Sequence, residues 1–359
     1  MPTFPLDLAE LEPGELEDAL EARGHKRFHA RQLFRWIHRR GVTDFSAMTD
    51  LPQSLRDELG RECTVGTPVI VSDQLSSDGT RKVALALSDG QTIEAVFIPD
   101  TPSMTFCVST QVGCAMSCAF CLTGRMGLAR HLTAGEIASQ VRVLATLTGH
   151  LETRFNIVLM GMGEPLHNYE HTMKALRILH AEAGLSVSPR RVTLSTVGIV
   201  PALERLAEEA LMPNLAISLH ATTDAQRTAI VPPNRKYPLK AILDACRRFP
   251  LPKRSRITFE YVLLAGVNDS LEDAQRLGTL LDGIRAKVNL IPLNPAPGIP
   301  FERPSDRQVD AFAAALAARR ITVSVRKSRG RDIRAACGQL IVDGGTGRSA
   351  AQQVATLMR

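Results

Sequence analysis

Residues 104–127 read MTFCVSTQVGCAMSCAFCLTGRMG: an apolar strand pattern running straight into a loop that holds Cys114, Cys118 and Cys121. Thiols grouped this tightly are soft ligands of the kind that select iron–sulfur clusters or zinc. The sequence after the loop sets the fold. Strand-like apolar runs recur at FNIVLM (155–160), RVTLST (191–196), NLAISLH (214–220), RITFEYVLL (256–264), KVNLIPLN (287–294) and ITVSVRK (321–327). Helical patterns separate them at 136–147, 172–182, 201–211, 239–249, 271–284 and 306–320. Alternation of this kind implies βαβ units, a parallel sheet and right-handed crossovers. Six such units fall short of a closed eight-unit barrel, so the expected class is α/β with an open, partial (β/α)6 barrel. Function is then expected at the C-terminal ends of the strands. Thr133 and Glu136 form a capping box at the start of the first of these helices.

Upstream the pattern changes twice. Residues 67–99 alternate and are punctuated by DG turns, which reads as a small antiparallel extension or hairpins leading into the core. Earlier residues read as helices, among them FHARQLFRWIHRR closed by Gly41. The expected divisions are an N-terminal helical RNA-binding accessory domain (1–65), a small β extension (66–99), the partial barrel with a C-terminal Cys loop (100–342) and a loosely held tail (343–359).

The net charge of +6 matters less than its placement. Residues 1–22 hold seven acids and no Lys or Arg, whereas residues 23–40 hold seven Lys or Arg, three His and no acid. Such a segregated stretch suits phosphate contacts, with Phe28, Phe34 and Trp36 turned into a core. Arg190/Arg191, Arg235/Lys236 and the Arg326–Arg334 segment are further candidate contacts. No run approaches the roughly 20 apolar residues needed to span a bilayer. The acidic N-terminus lacks the features of a signal peptide. A cytoplasmic location with no membrane partner is expected.

Seven cysteines in a reducing compartment argue against a disulfide framework. Cys63 and Cys246 stand alone, and Cys246 reads as a small buried hydrophobe within a helix. Cys114, Cys118 and Cys121 are spaced C-x3-C-x2-C. Three thiolates can fill three corners of a [4Fe-4S] cluster and leave one iron open. That iron can chelate the amino and carboxylate groups of S-adenosylmethionine (SAM), and an electron passed to the sulfonium then breaks a C–S bond. A structural zinc site would want a fourth ligand, from Cys107 or a distant residue. The spacing, the place after the first strand and Phe120 before the last Cys resemble the radical SAM signature. Other strand ends then acquire candidate SAM-binding roles: Gly163 and Glu164 in MGMGEPL, Ser195 in LSTVG, Ser218, Leu219 and His220 in AISLH, and Asn294 in LIPLNP.

Two thiols remain that a cluster does not need. Cys107 lies in the first strand, and Cys337 lies in RKSRGRDIRAACGQL, a basic, glycine-containing segment that favours thiolate. Their placement suggests redox or covalent participation.

The segments TFCVSTQVGCAMSCAFCLTG, MGMGEPLHN, SLHATTDAQRTAIVPPNRKYPL, TFEYVLLAGVND and RGRDIRAACGQL together resemble the RlmN family, as does ARQLFRWIHRRGVTDFSAMTDLP upstream. That family comprises radical SAM methyltransferases acting on adenine C2 in 23S ribosomal RNA and in some tRNAs. The resemblance implies that Cys337 is methylated by a first SAM. A second SAM would yield a 5′-deoxyadenosyl radical that takes hydrogen from the S-methyl group, so two are used per turnover. The methylene radical would add to adenine C2 and leave RNA joined to Cys337. Glu94, in QTIEAVFIP, would remove the C2 proton, although on its own residues it reads as a surface carboxylate. Cys107 would then attack Cys337, form a disulfide and release the methylated base. This scheme answers a physical difficulty, since adenine C2 is electron-poor and is no nucleophile.

The implied partners are 23S rRNA before ribosome assembly, with its adenine turned out of the stack, and an electron donor such as flavodoxin or ferredoxin. Whether tRNA is also a substrate stays open, and a monomer is the default. Two alternatives stand beside this reading. One is the related Cfr type, which methylates adenine C8. The GEPLHN and RKSRG segments look more like RlmN. The other is a non-catalytic, metal-stabilised RNA-binding assembly factor.

Overall fold

The computed structural model describes residues 5–99 and 104–341, so the expected tail at 343–359 and the boundary at residue 100 lie outside it. At the N-terminus, α1 (Pro13–Glu21), α2 (Phe28–Phe34) and α3 (Gln53–Glu62) form a helical unit. Its two ends are tied where Leu6–Asp7 pairs in parallel with Cys63–Thr64. Helix α2 widens into a π turn over Arg35–Arg39, and the chain reverses at Gly41 with φ 69°. Leu33, Phe34 and Ile37 are fully buried and Trp36 half so, but Phe28 is 58% exposed and not part of the core.

Among the described residues ten strands form one sheet whose neighbours follow chain order. They are β1 (Val69–Leu75), β2 (Arg81–Ala86), β3 (Thr92–Ile98), β4 (Thr105–Cys107), β5 (Asn156–Leu159), β6 (Val192–Thr196), β7 (Asn214–Ser218), β8 (Ile257–Leu263), β9 (Ala286–Pro292) and β10 (Thr322–Val325). Strands β4 to β10 are parallel and correspond to the seven apolar runs read from the sequence. The crossovers carry α4 (Ala134–Thr148), α5 (Tyr169–His180), α6 (Val200–Leu206), α7 (Asp224–Ile230) with α8 (Leu239–Arg248), α9 (Leu271–Leu280) and α10 (Asp306–Ala318). The result is six βα units closed by a seventh parallel strand, an open barrel with two edges.

The antiparallel strands β1–β3 are not a separate sheet. β3 pairs antiparallel with β4, so the extension continues the barrel sheet past its first strand. An open barrel leaves β4 without a closing neighbour, and β3 covers that edge.

The helical unit docks against α4 and α5. Thr133 and Glu136 make the expected capping box at the start of α4. The Glu10 carboxylate joins them from the N-terminal unit, accepting from Gly135 N at 2.8 Å. Glu12 meets Arg177 at 2.9 Å and Glu15 meets Lys174 at 2.7 Å. The acidic stretch therefore serves the fold: half of it faces the barrel, and Glu17, Asp18 and Glu21 all clasp Arg27. This removes Arg27 from the set of free cations in residues 23–40, while Lys26 and Arg31 stay exposed with no ion pair among the described residues.

Candidate active site

The cysteine loop is held by a short hairpin in which Gln111–Cys114 pairs antiparallel with Gly127–His131. Gly113 sits at φ 76°, and a Cβ there would lie 1.9 Å from the Gly127 carbonyl oxygen, so only glycine fits. Cys121 N donates to the Cys118 carbonyl at 3.1 Å, folding the loop back on itself. All three cysteines are free thiols lining one cavity, with Cys114 and Cys118 buried. Burial pushes Cys114 up to about 12 and raises Cys118 and Cys121 as well, the neighbouring thiols adding to the rise in Cys118. Buried thiols of this kind become thiolates only when metal offsets the cost. Among the described residues no three His, Cys, Asp or Glu converge as a single ion would require. Three corners of a cubane, by contrast, bind three separate irons.

The cavity, about 160 Å³, runs along the C-terminal ends of the parallel strands and also takes in Gly163, Glu164, Ser195, Ser218, His220 and Asn294. Gly163 has φ 106°, and a Cβ on it would come within 2.7 Å of Gln111. Glu164 follows at once, its carboxylate accepting from Leu166 N at 3.0 Å and Val197 N at 2.8 Å. Burial, opposed by these bonds, pushes its carboxyl up to about 7. Ser195 Oγ and Ser218 Oγ, on neighbouring strands, lie 3.3 Å apart. His220 holds φ 62°, and its Nδ1 accepts from Val262 N at 3.0 Å, which leaves the proton on Nε2. Burial, with Arg227 nearby, lowers its pKa to about 3, so the ring is neutral. Leu219, the residue between, is not on the cavity wall: its side chain lies in the main core, its N donates to the Glu260 carbonyl at 3.0 Å and its carbonyl accepts from Arg227 Nε at 3.0 Å.

Asn294 supplies the test of fit to SAM. Its Oδ1 is buried without a partner, an acceptor aimed at no protein donor. Beside three thiols and an open cavity, such an acceptor suits a polar ligand carrying donors.

The Cys337 segment closes one side of this cavity. Leu122 N donates to the Gly338 carbonyl at 2.8 Å, seating Cys337 directly against the cysteine loop. Thr123 Oγ1 donates to the Leu340 carbonyl at 2.6 Å. The β extension holds the other side. Ser76 Oγ and Ser77 N donate to the Asp332 carboxylate at 2.6 and 3.1 Å, and Gly330 N donates to Asp78 at 3.0 Å. Cys107, the last residue of β4, is buried. Burial and the facing Cys337 push it up to about 12, and Arg326 opposes them. The two thiols, distant in sequence, thus stand within electrostatic reach of each other.

Glu94 is placed differently. It is buried in β3, off the cavity wall, with Oε1 2.8 Å from Lys82 Nζ and Oε2 accepting from Ile341 N at 2.9 Å. This departs from a surface carboxylate, because the pairing of β2 with β3 turns both side chains inward.

Sequence reading missed three charged groups, Lys82, Glu260 and Arg227, and gave a fourth, Arg326, another role. Lys82 pairs with Glu94. Glu260 lies on the cavity wall, accepting from Asn289 Nδ2 at 2.7 Å. An acid in the middle of the apolar run ITFEYVL was the available signal. Arg326 lies inward among Cys337, Glu260 and Cys107 rather than outward toward solvent phosphate. Arg227 is fully buried, and nothing in its helical context marked it.

A partial parallel barrel with three clustered cysteines and a strand-end cavity defines a radical SAM enzyme, and the radical SAM superfamily model matches residues 108–277. The model of the ribosomal RNA large subunit methyltransferase N-terminal domain matches residues 6–65. The dual-specificity RNA methyltransferase RlmN of Anaeromyxobacter dehalogenans is 50% identical over 95% of this chain and 93% of that protein. That of Geobacter sulfurreducens is 49% identical over 93% of this chain and 92% of its own. A crystal structure of a radical SAM methyltransferase from Sphaerobacter thermophilus superposes with a TM-score of 0.90 at 48% identity, covering 94% of this chain and 99% of that one. The chain belongs to the RlmN family of radical SAM RNA methyltransferases. A non-catalytic assembly factor is thereby set aside.

Proposed function

We propose that this enzyme methylates C2 of an adenine in 23S rRNA, and an adenine in tRNA, through an S-methyl group carried on Cys337. The observation that carries this reading is that Cys337 is seated against the cysteine loop within electrostatic reach of Cys107, two thiols that cluster binding does not use. A [4Fe-4S] cluster on Cys114, Cys118 and Cys121, when bound, supplies one-electron cleavage of SAM. Gly163, Glu164, Ser195, Ser218, His220 and Asn294 form the wall against which SAM is bound and oriented, with Leu219 behind it in the core. Two SAM are used per turnover, one giving a methyl group to Cys337.

Arg326 keeps a positive charge near both outlying thiols and, at Cys107, opposes the rise that burial causes. Cys337, with its methyl activated, bonds to the adenine ring. Glu94 takes the C2 proton, and because Ile341 N occupies its Oε2, the C-terminal segment shifts to expose it. Cys107 then attacks the Cys337 sulfur: the S–S bond forms as the bond from that sulfur to the transferred carbon breaks, and the carbon takes a proton to become the product methyl group. The electron left over from the radical addition would pass to the cluster when bound, and a reductant resets the disulfide before the next turnover. The N-terminal helical unit contributes RNA contacts through Lys26, Arg31 and Arg35. A ferredoxin or flavodoxin serves as electron donor, the protein acts as a monomer, and its compartment is the cytoplasm. Among the described residues no helix is long and apolar enough to cross a membrane.

The test is methyl transfer from labelled SAM to protein-free 23S rRNA under anaerobic, reducing conditions, with the product base identified by mass spectrometry and NMR. 2-Methyladenine is expected. A methyl group on C8 would move the enzyme to the Cfr chemistry and contradict the proposal.

A further inference from the structure

Arg227 is a large side chain with no exposure to solvent, and none of the steps above uses it. Its guanidinium donates to the carbonyls of Val197 at 2.6 Å, Leu219 at 3.0 Å and Ser218 at 3.2 Å, and to Asn234 Oδ1 at 3.1 Å. Every one of these acceptors is neutral. Asp224 is reached only through Asn234, whose Nδ2 donates to Asp224 Oδ1 at 3.0 Å. Burial lowers the Arg227 pKa only to about 10, so it remains a cation at neutral pH. A buried cation without an anionic partner is costly.

The group it lies closest to that can become an anion is the cysteine loop: Arg227 Nη2 donates to the carbonyl of Val197, and Val197 packs in one cluster with Cys114 and Cys118. The helix that carries Arg227 is also fastened to that loop, since Ala119 N donates to the Ile230 carbonyl at 3.0 Å. Ile230, Val231 and Val197 pack in one apolar cluster with Cys114 and Cys118, which keeps water away from the space between.

We propose that Arg227 is the built-in counter-charge of the cluster: a positioning cation that raises the reduction potential of the bound centre while tying two SAM-binding strand ends to the cysteine loop. The proposal rests on the reading of Cys114, Cys118 and Cys121 as cluster ligands. Three thiolates outweigh the positive charge of the cubane, so the bound centre is an anion, and adding an electron makes it more negative. A fixed cation in a dry, low-dielectric setting favours the reduced form. The sequence register explains why the charge sits there: α7 starts six residues after Ser218, the last residue of β7, and Arg227 reaches back to the carbonyls of Val197 and Ser218 at the ends of β6 and β7.

Wild type, Arg227→Lys, Arg227→Gln and Asp224→Asn are reconstituted anaerobically. Iron and sulfide content, circular dichroism and the midpoint potential are then measured, the last by dithionite titration with mediators followed by electron paramagnetic resonance. Arg227→Gln is expected to lower the potential, and Arg227→Lys to stay near wild type despite losing the guanidinium fork. Asp224→Asn, which removes an opposing charge, is expected to raise it. If Arg227→Gln has the wild-type potential, or if Lys and Gln lower it equally, Arg227 is only a carbonyl clamp and the proposal is overturned. A downward or absent shift in Asp224→Asn also overturns it, and does so even if Arg227→Gln fails to fold. Failure of wild type to take up iron would refute the cluster reading beneath it.

Discussion

Cys114, Cys118 and Cys121 lie within eight residues, and short-range geometry places them: a hairpin, a glycine in close approach and one backbone bond across the loop. Cys107 and Cys337 come from opposite ends of the barrel. Contacts made by other parts of the chain place them, with Asp78 and the Ser76–Ser77 turn on one side and Leu122 and Thr123 on the other. The first group is robust because it carries its own scaffold. The second depends on the β extension, which gives that extension a role beyond covering an edge: it docks the segment bearing Cys337.

The largest effects should separate the two groups. Cys118→Ala is expected to abolish iron binding and, with it, RNA methylation by about 10⁴-fold or more, the scale on which an essential catalytic group acts. Cys337→Ala is expected to lose methylation equally while keeping iron content and cluster absorbance at the wild-type level. Loss of the cluster in Cys337→Ala would erase the distinction. A smaller effect should follow from loosening the dock. Asp78→Ala with Asp332→Ala is expected to slow turnover by up to roughly 10²-fold, the cost of a slight misplacement of a reacting group. Cluster content and SAM affinity should not change, and unaltered turnover would remove the β extension from the mechanism.

Glu164 offers a pH test of the local group. Its folded carboxyl lies near 7, above the ordinary value of 4.5. A raised carboxyl favours folding below the unfolded pKa, and this contribution is lost as pH rises through the folded one. In metal-free protein, stability from this group should therefore fall between about pH 4.5 and 7, by about 3 kcal/mol at most. Denaturant melts of Glu164→Gln against wild type should show that difference closing at low pH, and parallel curves would contradict it. The smallest effect is expected from Arg35→Glu with Arg39→Glu. RNA affinity should weaken several-fold, more at low salt, with cluster absorbance intact. Equal affinity in filter binding would take this helix off the RNA.

The barrel was legible because buried parallel strands read as apolar runs, and all seven fell where those runs stand. Thr133–Glu136 and Gly41 were legible as local signals. What escaped depends on partners far along the chain. Glu94 looked exposed because alternation gives two faces without saying which is buried, and Lys82 across the β2–β3 pair decided it. Leu219 matched a motif, yet alternation at the strand end turns its side chain to the core and its neighbours Ser218 and His220 to the cavity. Arg326 read as one cation in a basic run, and only the fold brings it between two thiols. The acidic N-terminus was read only as contrast to the basic stretch, although Glu10 in fact caps a barrel helix.

In the proposed cycle Cys107 and Cys337 act as a covalent pair. Cys107→Ala incubated anaerobically with SAM, reductant and substrate RNA tests it most directly, read on a denaturing gel with labelled RNA. A protein–RNA adduct joined through Cys337 is expected to accumulate, with little free methylated product. Free methylated RNA at the wild-type rate, with no adduct, would contradict the claim.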